Sequence, residues 1–223
     1  MKLTVSNLTK FYGAEQENRS AAVYDCSFAL DTGSICCIRG ISGCGKTTLL
    51  RMLALQLMPD SGTILYGDTD LWGLSEQARA EYKACRIGYI PQDFALIPIL
   101  TLEENIALPA MIAGEKPDRK QISSLMEQLG LTACRHQYPH ELSGGQKQKC
   151  AVARAWMQGA ELILADEPTG SLDDAGTDAV LSLFRQFKQN GGSILMTTHD
   201  ARLLSCADTV YPMVQGRLLC QGL

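Results

Sequence analysis

Apolar residues along the chain follow two patterns that take turns. In the first, short runs predict strands. Leu3 and Val5 alternate with polar neighbours, which predicts an edge-type strand. Residues 34–39 (SICCIR), 162–165 (LILA) and 193–198 (SILMTT) are near-continuous apolar runs, as expected of strands buried on both faces. In the second pattern, apolar residues recur every three or four positions. A helix is predicted from Lys46 to about Leu57, stopped by the turn cluster Pro59-Asp60-Ser61-Gly62. Thr101 and Glu104 have capping-box spacing. Asp118 caps a helix carrying Ile122, Leu125, Met126 and Leu129 on one face and ending at Gly130. Ser143 opens another helix through Met157, and Val180, Leu181, Phe184 and Phe187 line a further one, ended by Gly191-Gly192. The polar residues 13–21 read as a loop.

Strands alternating with helices predict an α/β domain with a mostly parallel sheet and helices on both faces. The helical block 93–158 interrupts that alternation. We therefore expect a single domain over 1–223, with a core from 1–92 and 159–223 and an inserted α-helical subdomain at 93–158.

Composition narrows the class. The chain has 223 residues, 46% of them hydrophobic and 20% charged, enough to bury a core. Lys plus Arg is 20 and Asp plus Glu is 24, and a net charge of −4 weighs against binding nucleic acid. No apolar stretch reaches the roughly 18 residues of a membrane span. The start, MKLTVSNLTK, lacks a signal peptide's apolar run. The nine cysteines (Cys26, Cys36, Cys37, Cys44, Cys85, Cys134, Cys150, Cys206 and Cys220) include no C-x-x-C pair and are odd in number. They read as reduced thiols serving as small hydrophobes in a reducing compartment.

The first chemical motif is Gly40-Ile41-Ser42-Gly43-Cys44-Gly45-Lys46-Thr47, which satisfies G-x-x-x-x-G-K-[ST] between a predicted strand and a predicted helix. Its glycines let backbone N–H groups curl around an anion, and the helix adds its positive N-terminal end. Lys46 is the candidate contact to the β- and γ-phosphates, and Thr47 the candidate Mg²⁺ ligand. Gly40, Ser42, Gly43, Cys44, Gly45 and Thr48 complete the candidate nucleotide-binding set. Cys44 is expected beside the cradle, as a reactive thiol. The motif alone leaves a kinase, a GTPase and a transport ATPase open. The second motif is the apolar strand Leu162-Ile163-Leu164-Ala165 ending in Asp166-Glu167. Asp166 is placed to hold Mg²⁺, and Glu167 to polarise a water attacking the γ-phosphate.

The third motif is Leu142-Ser143-Gly144-Gly145-Gln146. Ser143 at a helix N-cap with two glycines beside it makes a second anion cradle, far from the first in sequence. LSGGQ resembles the signature of ATP-binding cassette (ABC) ATPases. That resemblance implies a P-loop NTPase core with an antiparallel β edge subdomain. It also implies a head-to-tail dimer in which Ser143, Gly144, Gly145 and Gln146 cover ATP held by the partner.

Further segments match the family in order, over nearly the whole chain. Tyr12 resembles the residue that stacks on adenine, and Gln92 the loop glutamine that touches Mg²⁺ and the attacking water. Asp173, in Ser171-Leu172-Asp173, resembles the dimer-contacting loop, and His199 the switch histidine on the γ-phosphate. Lys149 departs from the family's usual arginine, a change expected to affect helix packing more than chemistry. The loop at 13–21, the stretch 94–102 and Glu167-Pro168-Thr169-Gly170-Ser171-Leu172-Asp173 look like the lipoprotein-release, macrolide- or peptide-export and cell-division group. With Leu223 close behind the last predicted strand, no appended regulatory domain is expected. The resemblance thus implies a transport-coupled ATPase using ATP and Mg²⁺, homodimeric or paired with another cassette. It would be cytoplasmic, peripheral on the inner face of the cell membrane, and would power a separate permease that docks near Gln92 and residues 94–100. A soluble ABC ATPase of the DNA-repair or translation type is the alternative, and a small-molecule kinase is disfavoured by LSGGQ and His199.

Overall fold

The computed structural model describes residues 2–13 and 20–219, so most of the 13–21 loop and Cys220 lie outside the described residues. The strands form two sheets. The smaller contains β1 (Leu3–Tyr12), β2 (Ser20–Leu30), β4 (Ser61–Tyr66) and β5 (Thr69–Asp70) in the order β2-β1-β4-β5. Its pairs are antiparallel. The larger contains β3 (Ile35–Arg39), β6 (Ile87–Ile90), β7 (Leu162–Asp166), β8 (Ser193–Thr197), β9 (Thr209–Val214) and β10 (Arg217–Leu218) in the order β10-β9-β3-β8-β7-β6. Its pairs are parallel except β10 with β9.

The apolar runs are explained by burial on both sides. Along β3, Ile35 and Cys37 join one hydrophobic cluster while Cys36 and Ile38 join the other. β7 divides in the same way, with Ile163 and Ala165 against Leu162 and Leu164. One cluster joins the sheet to α3 (Leu102–Ile112), α4 (Arg119–Gln128), α5 (Gly144–Met157) and α6 (Asp174–Gln189). The other joins it to α1 (Lys46–Leu53) and the antiparallel sheet. Phe184 of α6 is fully buried, and truncating such a side chain to alanine costs about 3–5 kcal/mol. The remaining helices are α2 (Glu76–Arg86) and the short α7 (Ala201–Cys206).

Most predicted caps are present. Thr101 and Glu104 form a reciprocal capping box, and Ser143 and Gln146 form another. Asp118 accepts from the amides of Lys120 and Gln121.

Three expectations change. β1 is interior rather than an edge, because it pairs with β2 on one side and β4 on the other. α1 ends at Leu53 rather than near Leu57. Leu55 takes a left-handed φ of 56°, and the amides of Gln56 and Leu57 turn back to the Arg51 carbonyl, closing the helix before the proline is reached. Cys85 is exposed, whereas Cys26, Cys36, Cys37, Cys44, Cys134 and Cys150 are buried as small hydrophobes.

Candidate functional site

Because β3, β8, β7 and β6 run parallel, the segments following them meet at one edge of the sheet. Gly40 follows β3, Gln92 follows β6, Asp166 closes β7 and His199 follows β8. A cleft of about 800 Å³ opens there. Gly40, Ser42, Gly43, Gly45, Lys46, Thr47 and Thr48 form one wall. Tyr12, Gln92, Asp166, Glu167 and His199 line it as well. Tyr12 is exposed at the end of β1, so it is not a core tyrosine.

The loop requires its glycines. Gly45 has φ of 109°, and a Cβ there would collide with the Ala22 carbonyl oxygen. A Cβ on Gly40 would collide with the Met213 carbonyl oxygen and lie 2.5 Å from Cys44 Sγ. Lys46 is nearly buried, and its ammonium donates to the carbonyls of Gly40 at 2.8 Å and Ile41 at 3.0 Å. Cys44 corrects the expectation of a reactive thiol at the cradle. It is 5% exposed, belongs to the core cluster containing Leu49 and Met213, and does not line the cleft. Its Sγ packs beside Gly40, in the space that a Cβ there would need.

Asp166 is 1% exposed. Its Oδ1 accepts from the Thr197 hydroxyl at 2.7 Å, while Oδ2 is buried with no hydrogen-bond partner among the described residues. A buried carboxylate oxygen without a donor is costly, and a hard divalent cation satisfies it. Thr47 and Gln92 line the same cleft, so the three residues present an oxygen set that fits Mg²⁺. On β6, burial first and then the charge of Asp166 push the Tyr89 phenol up to about 12, so it stays neutral. Glu167 has a left-handed φ of 49°, and its amide donates to the Thr197 carbonyl at 3.1 Å. A non-glycine residue in this region is held by its surroundings. Past His199, Arg202 pairs with Asp200 at 3.0 Å and with Asp174 at 2.9 Å, which ties that segment to the start of α6. The Arg202 hydrogen bond also holds the Asp200 carboxyl below its ordinary range.

The signature residues stand elsewhere. Among the described residues lining the cleft, none is Ser143, Gly144, Gly145 or Gln146. Gly145 packs toward the carbonyl of Ser171, a residue that does line the cleft. Asp173 caps α6 through the Gly176 amide at 2.8 Å. Lys149 of α5 lies against Gly176 of α6, a contact between the two helices. One chain thus carries a nucleotide-sized cleft and a separate glycine-bearing helix start, the two half-sites that the motifs imply.

The ABC transporter family profile matches residues 23–170. The chain belongs to the ABC transporter ATP-binding family. It is 38% identical over 206 residues to the ABC transporter ATP-binding protein YtrE of Bacillus subtilis, covering 91% of this chain and 89% of that protein. It is 37% identical over 226 residues to the lipoprotein-releasing system ATP-binding protein LolD of Porphyromonas gingivalis, covering 99% of this chain and 100% of LolD. A dimeric, post-hydrolysis structure of the ATP-binding cassette MJ0796 with ADP and Pi superposes with a TM-score of 0.92 at 26% identity, covering 99% of this chain and 100% of that one. The cassette is therefore an ATP-binding subunit of an ABC transporter, an ATPase coupled to transport. Among the described residues, no helix is long and apolar enough to cross a membrane.

Of the cleft-lining residues that sequence reasoning did not assign there (Ala22, Ile41, Gln148, Gly170 and Ser171), Gln148 is the buried polar one. Gln148 on α5 is 1% exposed, lines the cleft, and has no partner for its Nε2 among the described residues. The available signal was a polar residue on the otherwise apolar helix face of Cys150, Ala151, Val152 and Ala155.

Proposed function

We propose that this chain hydrolyses ATP in the cleft between two cassettes and thereby drives a membrane permease of the exporting or lipoprotein- and peptide-extruding kind. The observation carrying this reading is the convergence of Lys46, Asp166, Glu167, Gln92 and His199 on one cleft. Tyr12 stacks on the adenine, and the loop amides from Gly40 to Thr48 cradle the phosphates. Lys46 leaves its two carbonyl partners and turns to the β- and γ-phosphates. Thr47, Asp166 and Gln92 would hold Mg²⁺, which would supply neutralisation of phosphate charge. Glu167 accepts a proton from the water that attacks the γ-phosphorus as the bond to the bridging oxygen breaks. His199 donates to the γ-phosphate. Ser143, Gly144, Gly145 and Gln146 close over the partner's ATP, and Asp173 marks the dimer-contacting loop. The closed dimer is favoured only while ATP bridges the two half-sites, which makes the cycle a two-state stroke.

Residues 93–158 serve as the helical subdomain, on a core of 1–92 and 159–223. Between them lies an apolar groove of about 1160 Å³ whose lining includes Gln92, Ala95, Ile97, Leu108, Pro109 and Ile112. Ile112 is 72% exposed, an unusual setting for a large apolar side chain unless a partner covers it. We assign this groove to the permease, which would place the chain on the cytoplasmic face of the membrane. Phe94 and Leu96 instead pack inward, so the stretch 94–100 divides between core and groove. Co-purification from detergent-solubilised membranes tests the reading. An integral-membrane protein that raises the chain's ATPase rate is expected, and a partner-free chain without Mg-ATP turnover would overturn it.

A further inference from the structure

The segment leaving β6 makes an unusual turn. Phe94 and Ala95 are consecutive non-glycine residues in the left-handed region, with φ of 63° and 44°. The Ala95 amide closes a tight turn onto the Asp93 carbonyl at 2.7 Å. Such a pair persists only where something outside the loop holds it. Arg154 supplies two contacts of that kind. Its Nη1 donates to the Ala95 carbonyl at 2.7 Å and its Nη2 to the Phe94 carbonyl at 2.9 Å. The planar guanidinium spans both carbonyls at once, which an ammonium on a flexible stem does not do.

The positions of the participants give this clamp a purpose. Gln92, two residues before Phe94, lines both the cleft and the groove. Ala95 and Arg154 line the groove. Arg154 sits on α5, the helix whose N-cap is Ser143 and whose Gln148 lines the cleft. Asp93, in the same turn, acts on Arg154 through its charge, while both guanidinium nitrogens that make hydrogen bonds spend them on the loop carbonyls. Burial lowers the Arg154 pKa, yet it remains a guanidinium cation at any physiological pH.

We propose that Arg154 is a positioning residue: it clamps residues 94–95 in their left-handed turn, so that Gln92 is presented to the cleft and moves together with α5. The proposal rests on the reading of Gln92 given above. It adds that the signature helix itself holds the loop through one side chain.

The test combines three variants, read by steady-state Mg-ATP hydrolysis and by amide hydrogen exchange of the purified chain. Arg154→Lys keeps the charge and removes the fork. It is expected to lower kcat about tenfold, the scale of one left-handed residue's conformational cost, with KM changed less than about twofold. Exchange should quicken at residues 93–97 and not in β7 or α1. Ala95→Val leaves Arg154 intact but disfavours the left-handed turn, and should reproduce both effects. Ala95→Gly placed on Arg154→Lys frees the turn from its steric cost, and should recover about a third or more of the lost rate. Wild-type kcat in Arg154→Lys would overturn the clamp. So would a loss that Ala95→Gly does not relieve, accompanied by faster exchange throughout the chain, since that marks a merely structural arginine. Gln92→Ala separates the two readings. If it lowers kcat while Arg154→Lys does not, only the clamp fails; if Gln92→Ala leaves kcat unchanged, the assignment of Gln92 fails first.

Discussion

His199 Nδ1 stands 3.1 Å from Glu167 Oε2, and the two side chains differ sharply in exposure, 79% against 15%. The carboxylate is the fixed member. Its backbone is anchored to Thr197 and held at positive φ, whereas the imidazole projects from the loop after β8. The ring thus rests on the proposed base, and reaching a γ-phosphate would require it to change partner.

Glu167→Gln keeps the shape and removes the proton acceptor. ATP binding should persist while turnover falls by about 10²-fold or more, the usual scale for a general base. A closed dimer should accumulate with Mg-ATP, visible by size-exclusion chromatography with light scattering. A variant that turns over at the wild-type rate would remove Glu167 from the mechanism. His199→Ala combined with Glu167→Gln should cost little more than Glu167→Gln alone, because the two act on one step.

The separation of Ser143 from the cleft sets up a mixing experiment. Lys46→Ala disables the phosphate-loop half and Ser143→Arg the signature half, so each variant alone should be inactive. A mixture forms heterodimers with one intact composite site, and part of the ATPase activity should return. Full activity in Ser143→Arg alone would show that each chain works by itself.

Among the described residues Thr197 is the side-chain donor to Asp166, and Thr197→Val takes it away at nearly constant shape. Both carboxylate oxygens would then be buried without a donor, a loss of about 1–3 kcal/mol. For a chain of this size that lowers Tm by roughly 2–4 °C per kcal/mol. Mg-ATP should narrow the gap between variant and wild type if a cation meets Asp166. An equal gap with and without Mg-ATP would count against Asp166 as a metal ligand.

Thiol labelling separates core from surface. Among the described cysteines, Cys85 is exposed and should alkylate first. Burial pushes Cys37 and Cys150 up to about 12, and burial also raises Cys36, so these stay protonated and slow near neutral pH. Their neutral form is favoured in the folded chain. The associated stability is therefore intact below the ordinary thiol value of 9.0 and fades as pH rises from there toward 12. Cys44 should label slowly, with or without Mg-ATP, which mass spectrometry after brief iodoacetamide treatment can read. Rapid, ATP-protected labelling of Cys44 would contradict its burial.

Features held by local chemistry were legible in the sequence. The caps at Thr101, Asp118 and Ser143 are hydrogen bonds made within three residues, so spacing alone announces them. The apolar runs of β3, β7 and β8 follow from burial on both faces, and the motifs around Lys46, Asp166 and Ser143 carry their chemistry in residue type and order. Features that depend on distant partners were not legible. Leu3 and Val5 alternate as an edge strand would, yet β1 is interior because β4, far along the chain, pairs with its other side. Cys44 stands in the phosphate loop, but its side chain is buried in the cluster with Met213 and packs beside Gly40. Arg154 looks like any helix arginine until residues 94–95 arrive at its fork. The difference is physical: a local pattern records which hydrogen bonds and faces a segment can make, whereas only the folded chain decides which remote carbonyl, strand or side chain arrives to complete them.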